Sequence, residues 1–174
     1  IYQRLKQVSK MNFPLSIIPT YTILSNLYTH LLLLLVLFFV LLCNISSMQI
    51  DPIGLLYYIF SNIMFVWSIS FLTSTISTML RDFHFFMQQI VRMLFYLTPI
   101  LWEVKSSVPS WFLFIIQLNP IYYLINGYRT SLLSLESVTP FVGQTLLFWG
   151  FTGSIFFIGV VLHVRFRKNF VEYI

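Results

Sequence analysis

The sequence predicts an all-α, polytopic integral membrane protein: four transmembrane helices, with an outer-side re-entrant helical hairpin between the last two. Three observations lead there. The chain is 58% hydrophobic and only 9% charged, with a mean hydropathy of +0.85, whereas soluble domains carry about 25% charged residues. Three long windows, Met11 to Ile50, Pro52 to Leu80 and Ser137 to Val164, contain no Asp, Glu, Lys or Arg. The stretch between the last two windows, Leu80 to Leu133, is apolar but twice interrupted, at Pro99 and at Asn119-Pro120, with a polar patch from Glu103 to Pro109.

A helix needs roughly 20 residues to cross about 30 Å of hydrocarbon. On that length the first span covers about 21–43, including the unbroken apolar run Leu31 to Cys43, with Pro14 and Pro19 ahead of it. The second covers about 53–79, with Pro52 in the first turn, where its missing N–H costs little. The third covers about 83–101 and contains one arginine, Arg92. The fourth covers about 139–163. The hairpin occupies about 107–136 and is broken at Asn119-Pro120. Irregular backbone at membrane depth is tolerated only where protein buries it or water reaches it, so this stretch is the expected transport pathway. The whole chain, 1–174, reads as one transmembrane domain, with a polar segment at 1–16 and a short tail at 164–174.

Lys and Arg set the orientation. With four spans, Arg4, Lys6, Lys10, Arg81, Arg165, Arg167 and Lys168 share one side, and Lys105 and Arg129 lie on the other with Asp51, Glu103 and Glu136. Both ends are then cytoplasmic. The net charge of +5 is read as orienting charge, not as a nucleic-acid footprint. A five-span alternative makes Trp111 to Leu133 a full crossing, which places the basic C-terminal cluster outside and a proline break inside a span. Ile1 lies within a polar connector, and a preceding part of the natural protein is expected.

Small residues recur on two spans. Ser61, Ser68 and Thr75 repeat every seven residues, and Gly143, Gly150 and Gly153 fall near one helix face. Such positions let helices approach closely in lipid, although glycine is common in membrane helices in any case.

Enzyme chemistry has no visible carrier. There is no Gly-x-x-x-x-Gly-Lys-Ser/Thr loop to cradle phosphates and no His/Cys cluster with metal-ligand spacing. Cys43 is the single cysteine, and the five acids are scattered. Uphill movement would need energy from a partner or an ion gradient, and no acid suited to a proton relay lies within a span, which counts against the gradient.

The order of Asn12-Phe13-Pro14-Leu15, Arg81-Asp82, Leu97-Thr98-Pro99-Ile100, Asn119-Pro120, Tyr128-Arg129 and Leu132-Leu133 resembles the permease subunit of type-2 ABC exporters. It looks closest to the teichoic-acid and O-antigen polysaccharide export permeases. Relatives often carry a basic residue after the Phe-Pro pair, where this chain has Leu15. The resemblance implies a homodimer on two ATP-binding cassette ATPase subunits, which hold the ATP and Mg, with no cofactor on this chain and no nucleic acid. It implies a lipid-linked polymer as cargo in the bacterial cytoplasmic membrane, surrounded by membrane lipids. It also implies that Arg4, Lys6, Lys10, Asn12, Phe13 and Pro14 contact the ATPase. A type-2 drug or small-lipid exporter is the neighbouring alternative, and a non-transport membrane anchor or assembly protein a more distant one.

Individual residues carry further expectations. Arg92 lies ten residues into the third span, where charge is costly and usually faces a cavity or partner. It reads either as a pathway cation for phosphate or as a snorkelling side chain. Tyr96, Trp102 and Tyr122 are pathway candidates among an aromatic crowd that an interfacial belt mostly explains. Pro99, Asn119, Pro120 and Arg129 are assigned to the outer gate. Asn119 is expected to cap the helix that Pro120 opens, and Arg129 is read as a gate charge or a headgroup anchor.

Overall fold

The computed structural model describes residues 18–44, 50–80, 82–100, 109–133 and 142–166. Six helices lie among them: α1 (Ile18–Asn44), α2 (Pro52–Met79), α3 (Phe83–Leu97), α4 (Ser110–Leu118), α5 (Pro120–Leu133) and α6 (Val142–Phe166). The segment 1–16, Trp102, most of the polar patch and the C-terminal tail lie outside the described residues.

Three of these helices are long and apolar enough to cross a membrane: α1 over Thr20–Cys43, α2 over Pro52–Ser77 and α6 over Val142–Arg165. These correspond to the first, second and fourth expected spans. The third does not match its expected length. Helix α3 has 15 residues and ends at Leu97, a rise of about 22 Å. The cause is local. Pro99 has no N–H and disfavours α-helical backbone in the residue before it, and Thr98 is extended (ψ 135°). Counting apolar residues carried the expected span to residue 101, but apolarity does not require helicity.

The start of α2 follows from Asp51-Pro52. The Asp51 carboxylate accepts from Ile53 N and Gly54 N, each at 3.1 Å, which satisfies two of the four otherwise unpaired N–H groups of the first turn. Pro52 occupies the position where no N–H is missed.

The chain divides into two compact units. The first contains α1, the second half of α2 and the second half of α6. Here α2 and α6 approach closely. A Cβ on Gly159 would lie 3.0 Å from Leu72 N, so a side chain there would force the two backbones slightly apart. Phe71 meets Phe156 and His163 edge-on, at 6.0 and 6.2 Å, and Thr75 Oγ1 lies 3.4 Å from His163 Nδ1. No residue of α1's apolar window is buried.

The second unit contains the first part of α2, then α3, α4, α5 and the first half of α6. Helix α4 packs on α5, and Ile116, Tyr123, Leu124 and Leu132 are buried.

Ser61, Ser68 and Thr75 are all buried. Their hydroxyls donate to the carbonyls of Tyr57, Met64 and Phe71, four residues back, at 2.9, 2.8 and 3.0 Å, so the seven-residue repeat does mark an inward face. The glycine triplet does not. Gly143 is exposed, and a side chain on Gly150 or Gly153 would meet nothing within 4 Å. The glycine that packs is Gly159, outside that set.

Candidate functional site: the broken segment and the polar face of α3

Helix α3 is amphipathic. Phe83, Met87, Ile90 and Leu94 are its half-buried positions, and every other residue of the helix is exposed. On the exposed side His84, Gln88, Arg92 and Tyr96 recur every four residues and so stack along one face. Gln88 Nε2 lies 3.0 Å from His84 Nε2. Arg92 is exposed, and Tyr96 is 73% exposed. The helix therefore turns a ladder of hydrogen-bonding groups, about 18 Å long, away from its own chain.

At its C-terminal end the chain enters a knot that joins both proline breaks. Thr98 and Pro99 are completely or almost completely buried. Buried carbonyls need donors; inside the turn the Ile100 N–H donates to the Thr98 carbonyl at 2.7 Å, so another residue must supply those of Pro99 and Ile100. Arg129, two turns into α5, does so: its Nη2 donates to the carbonyls of Pro99 (3.3 Å) and Ile100 (2.9 Å). Asn119 ties the second break to the first, since its Nδ2 donates to Thr98 Oγ1 at 2.9 Å. Its Oδ1 accepts from Ile121 N at 3.0 Å, which is the N-cap expected from the Asn-Pro pair. Asn119 itself is extended (ψ 118°), as a residue before proline must be. The Arg129 guanidinium is thus anchored to backbone, an arrangement that neither sequence reading of this residue contained.

A second polar cluster braces α5. The Tyr57 hydroxyl accepts from Trp149 Nε1 at 2.9 Å and lies 3.1 Å from the Tyr123 hydroxyl, which lies 3.2 Å from Thr145 Oγ1. Tyr123 stacks on Phe148, with ring centroids 4.7 Å apart, and Tyr58 packs against Tyr123. Burial pushes the Tyr123 phenol well above its usual range and the Tyr128 phenol up to about 12. Both remain neutral hydrogen-bonding groups at physiological pH. This brace was not foreseen: its members are 22 to 92 residues apart in sequence, and each tyrosine or tryptophan alone reads as an interfacial aromatic.

The structure brings together Pro99, Asn119, Pro120 and Arg129. It places Arg92 and Tyr96 on the open face of α3 and Tyr122 half-buried on α5. Trp102, Arg4, Lys6, Lys10, Asn12, Phe13 and Pro14 lie outside the described residues. Among the described residues no group of His, Cys, Asp and Glu has the arrangement of a metal site. The geometry is that of a helical membrane protein with a broken, tightly tied segment beside an exposed polar ladder.

No individual characterised protein matches this chain. The family described as ABC-2 type transporter matches residues 5–133. That match takes in α1 to α5 with both proline breaks, and the chain belongs to the ABC-2 type transporter family.

Proposed function

We propose that this permease moves a lipid-linked cell-envelope polymer, a teichoic acid or a similar polysaccharide, across the bacterial cytoplasmic membrane. Family membership supplies the coarser part: the chain is a multi-pass membrane subunit of an ABC exporter, and an ABC ATPase is the implied partner. In the finer reading two copies of the permease sit on two ATPase subunits, which carry the ATP and Mg.

The observation behind the finer reading is the His84–Gln88–Arg92–Tyr96 ladder. An arginine among apolar residues is costly unless it faces a cavity or a partner. Two ladders facing each other across a dimer enclose a polar path. Arg92 then meets phosphate on the carrier or the polymer through charge-assisted hydrogen bonds, and Tyr96, Trp102 and Tyr122 offer rings to sugars. Helices α4 and α5, at 9 and 14 residues, are each too short to cross. That supports an outer hairpin whose bends Pro99, Asn119, Pro120 and Arg129 hold. The segment Arg4, Lys6, Lys10, Asn12, Phe13 and Pro14 docks on the ATPase.

The cargo is tested in proteoliposomes containing permease, ATPase and an isoprenoid-linked envelope polymer. The expected result is ATP-dependent movement of the polymer into a compartment where added glycosidase cannot reach it. Transport of a cationic amphiphilic dye with no movement of polymer would overturn the cargo assignment in favour of a drug exporter.

Topology has its own test. In this reading α3 and residues 98–100 complete the third crossing, and both ends are cytoplasmic. Cysteines introduced singly at Ser47 and Ser107, with Cys43 changed to serine, should both react with an impermeant maleimide added to intact cells. Labelling at Ser47 with none at Ser107 would mean that α3 does not cross.

A further inference from the structure

Helix α5 carries a face that the knot leaves open. Tyr122, Asn126 and Arg129 fall at i, i+4 and i+7, on one side of the helix, over about 10 Å of its axis. All three are half-buried. Among the described residues, the Tyr122 hydroxyl and the Asn126 amide have no hydrogen-bond partner, and neither is sealed from contact. Among the described residues, Arg129 is engaged through Nη2 alone. A guanidinium carries five N–H donors in one plane, so Nε and Nη1 still offer three, on a group whose orientation the Pro99 and Ile100 carbonyls already fix. Its charge meets no acid among the described residues. The Asp51 carboxylate is turned to its own helix N-terminus, and Asp82 lies at the start of α3.

We propose that Tyr122, Asn126 and Arg129 form a binding face for an amphiphile that carries a phosphodiester or diphosphate with hydroxyl groups beside it. An oriented guanidinium with adjacent N–H donors matches two phosphate oxygens. The Asn126 amide donates and accepts, which suits a hydroxyl. The Tyr122 ring covers an apolar sugar or glycerol face, with its own hydroxyl at the edge. The same chemistry has two sources: an anionic headgroup with free hydroxyls, such as phosphatidylglycerol, or a sugar linked to an isoprenoid diphosphate. The face stands on geometry, and only the second source rests on the export reading.

The test is binding to the purified permease in detergent, followed by thermal unfolding. Phosphatidylglycerol, an isoprenoid-diphosphate-linked sugar and phosphatidylcholine are titrated separately. Asn126→Leu is the main variant, because Asn126 has no hydrogen-bond partner among the described residues and the unliganded midpoint should stay where it is. Arg129→Lys is the second, keeping a cation and a donor to the carbonyls while losing the planar fork. The expected result is saturable stabilisation by phosphatidylglycerol, by the sugar lipid or by both, weakened about tenfold by Arg129→Lys, the loss of one charge-assisted bond, and about fivefold by Asn126→Leu, the loss of one neutral hydrogen bond. Response to phosphatidylglycerol alone assigns the face to a membrane headgroup, and response to the sugar lipid alone assigns it to the cargo. The proposal is overturned if neither lipid saturates, if phosphatidylcholine stabilises equally, or if Asn126→Leu leaves affinity within about twofold. The readout involves no export, so failure of the cargo assignment leaves the phosphatidylglycerol arm standing, and failure here leaves the proteoliposome result untouched.

Discussion

Replacing Gly127 with alanine is expected to lower the stability of the permease by about 2–3 kcal/mol, the upper range for overpacking a tight contact. Gly127 is buried in α5, and a Cβ built on it falls directly onto the Tyr58 ring. The ring has nowhere to retreat. It packs edge-on against Tyr57 with centroids 5.2 Å apart and against Tyr123 at 5.6 Å, and those two hydroxyls belong to the network with Trp149 and Thr145. One methyl group therefore pushes on three helices. In most helices glycine to alanine gains a few tenths of a kcal/mol to about 1 kcal/mol from propensity, so the expected sign is opposite to the local preference. Thermal unfolding in detergent measures it, and a double-mutant cycle with Tyr58→Leu identifies the cause. With the ring removed, Gly127→Ala should cost less than about 1 kcal/mol. An unchanged cost in the Tyr58→Leu background would show that the clash with Tyr58 is not the source.

On the proposed export reading, Arg92→Met is expected to reduce polymer export by between about tenfold and a hundredfold, while membrane levels and assembly of the proposed dimer persist. The reduction is that of one charge-assisted hydrogen bond, worth about 1.5–3 kcal/mol. Arg92 stands on the exposed face of α3 and packs into no buried position there, so its loss should leave the fold intact. Methionine keeps most of the apolar stem. Arg92→Lys keeps a cation but not the fork that holds phosphate through two bonds, and its effect should be several-fold smaller. A side chain that only snorkels to the interface gives another order: lysine silent, and methionine mild or stabilising, since an apolar residue is favoured in lipid. Export is scored in cells with permease levels matched by blot. Normal export with Arg92→Met would remove Arg92 from the pathway and leave the aromatic residues as candidates for cargo contact.

Much of this molecule is set by local chemistry and can be read residue by residue. Charge-free windows long enough for a bilayer crossing became α1, α2 and α6, because a helix satisfies its backbone groups within one segment. Pro52 opened a helix, Pro99 closed one, and Asn119-Pro120 did both within two residues, since each acts on its own backbone or that of its neighbour. The inward set Ser61, Ser68 and Thr75 was also legible, because helical period places them on one side of α2 whatever they meet.

What the tertiary structure alone decided is which faces meet. Periodicity shows that Gly143, Gly150 and Gly153 share a side of α6, but the partner helix lies along Gly159, and a repeat within one helix contains no information about its neighbour. Arg129 was legible only as a gate charge or a headgroup anchor because its partners are carbonyls. A carbonyl becomes an acceptor in need of a donor only once Pro99 has broken the helix and burial has removed water. Those carbonyls come from residues 29 and 30 positions away. The brace of Tyr57, Tyr123, Thr145 and Trp149 spans 92 residues, and each hydroxyl is an ordinary polar group until three helices bring them within bonding distance. Local backbone rules placed the helices of this permease and both of its breaks. The contacts that hold those breaks shut, and the polar faces left open beside them, arise only where distant segments pack.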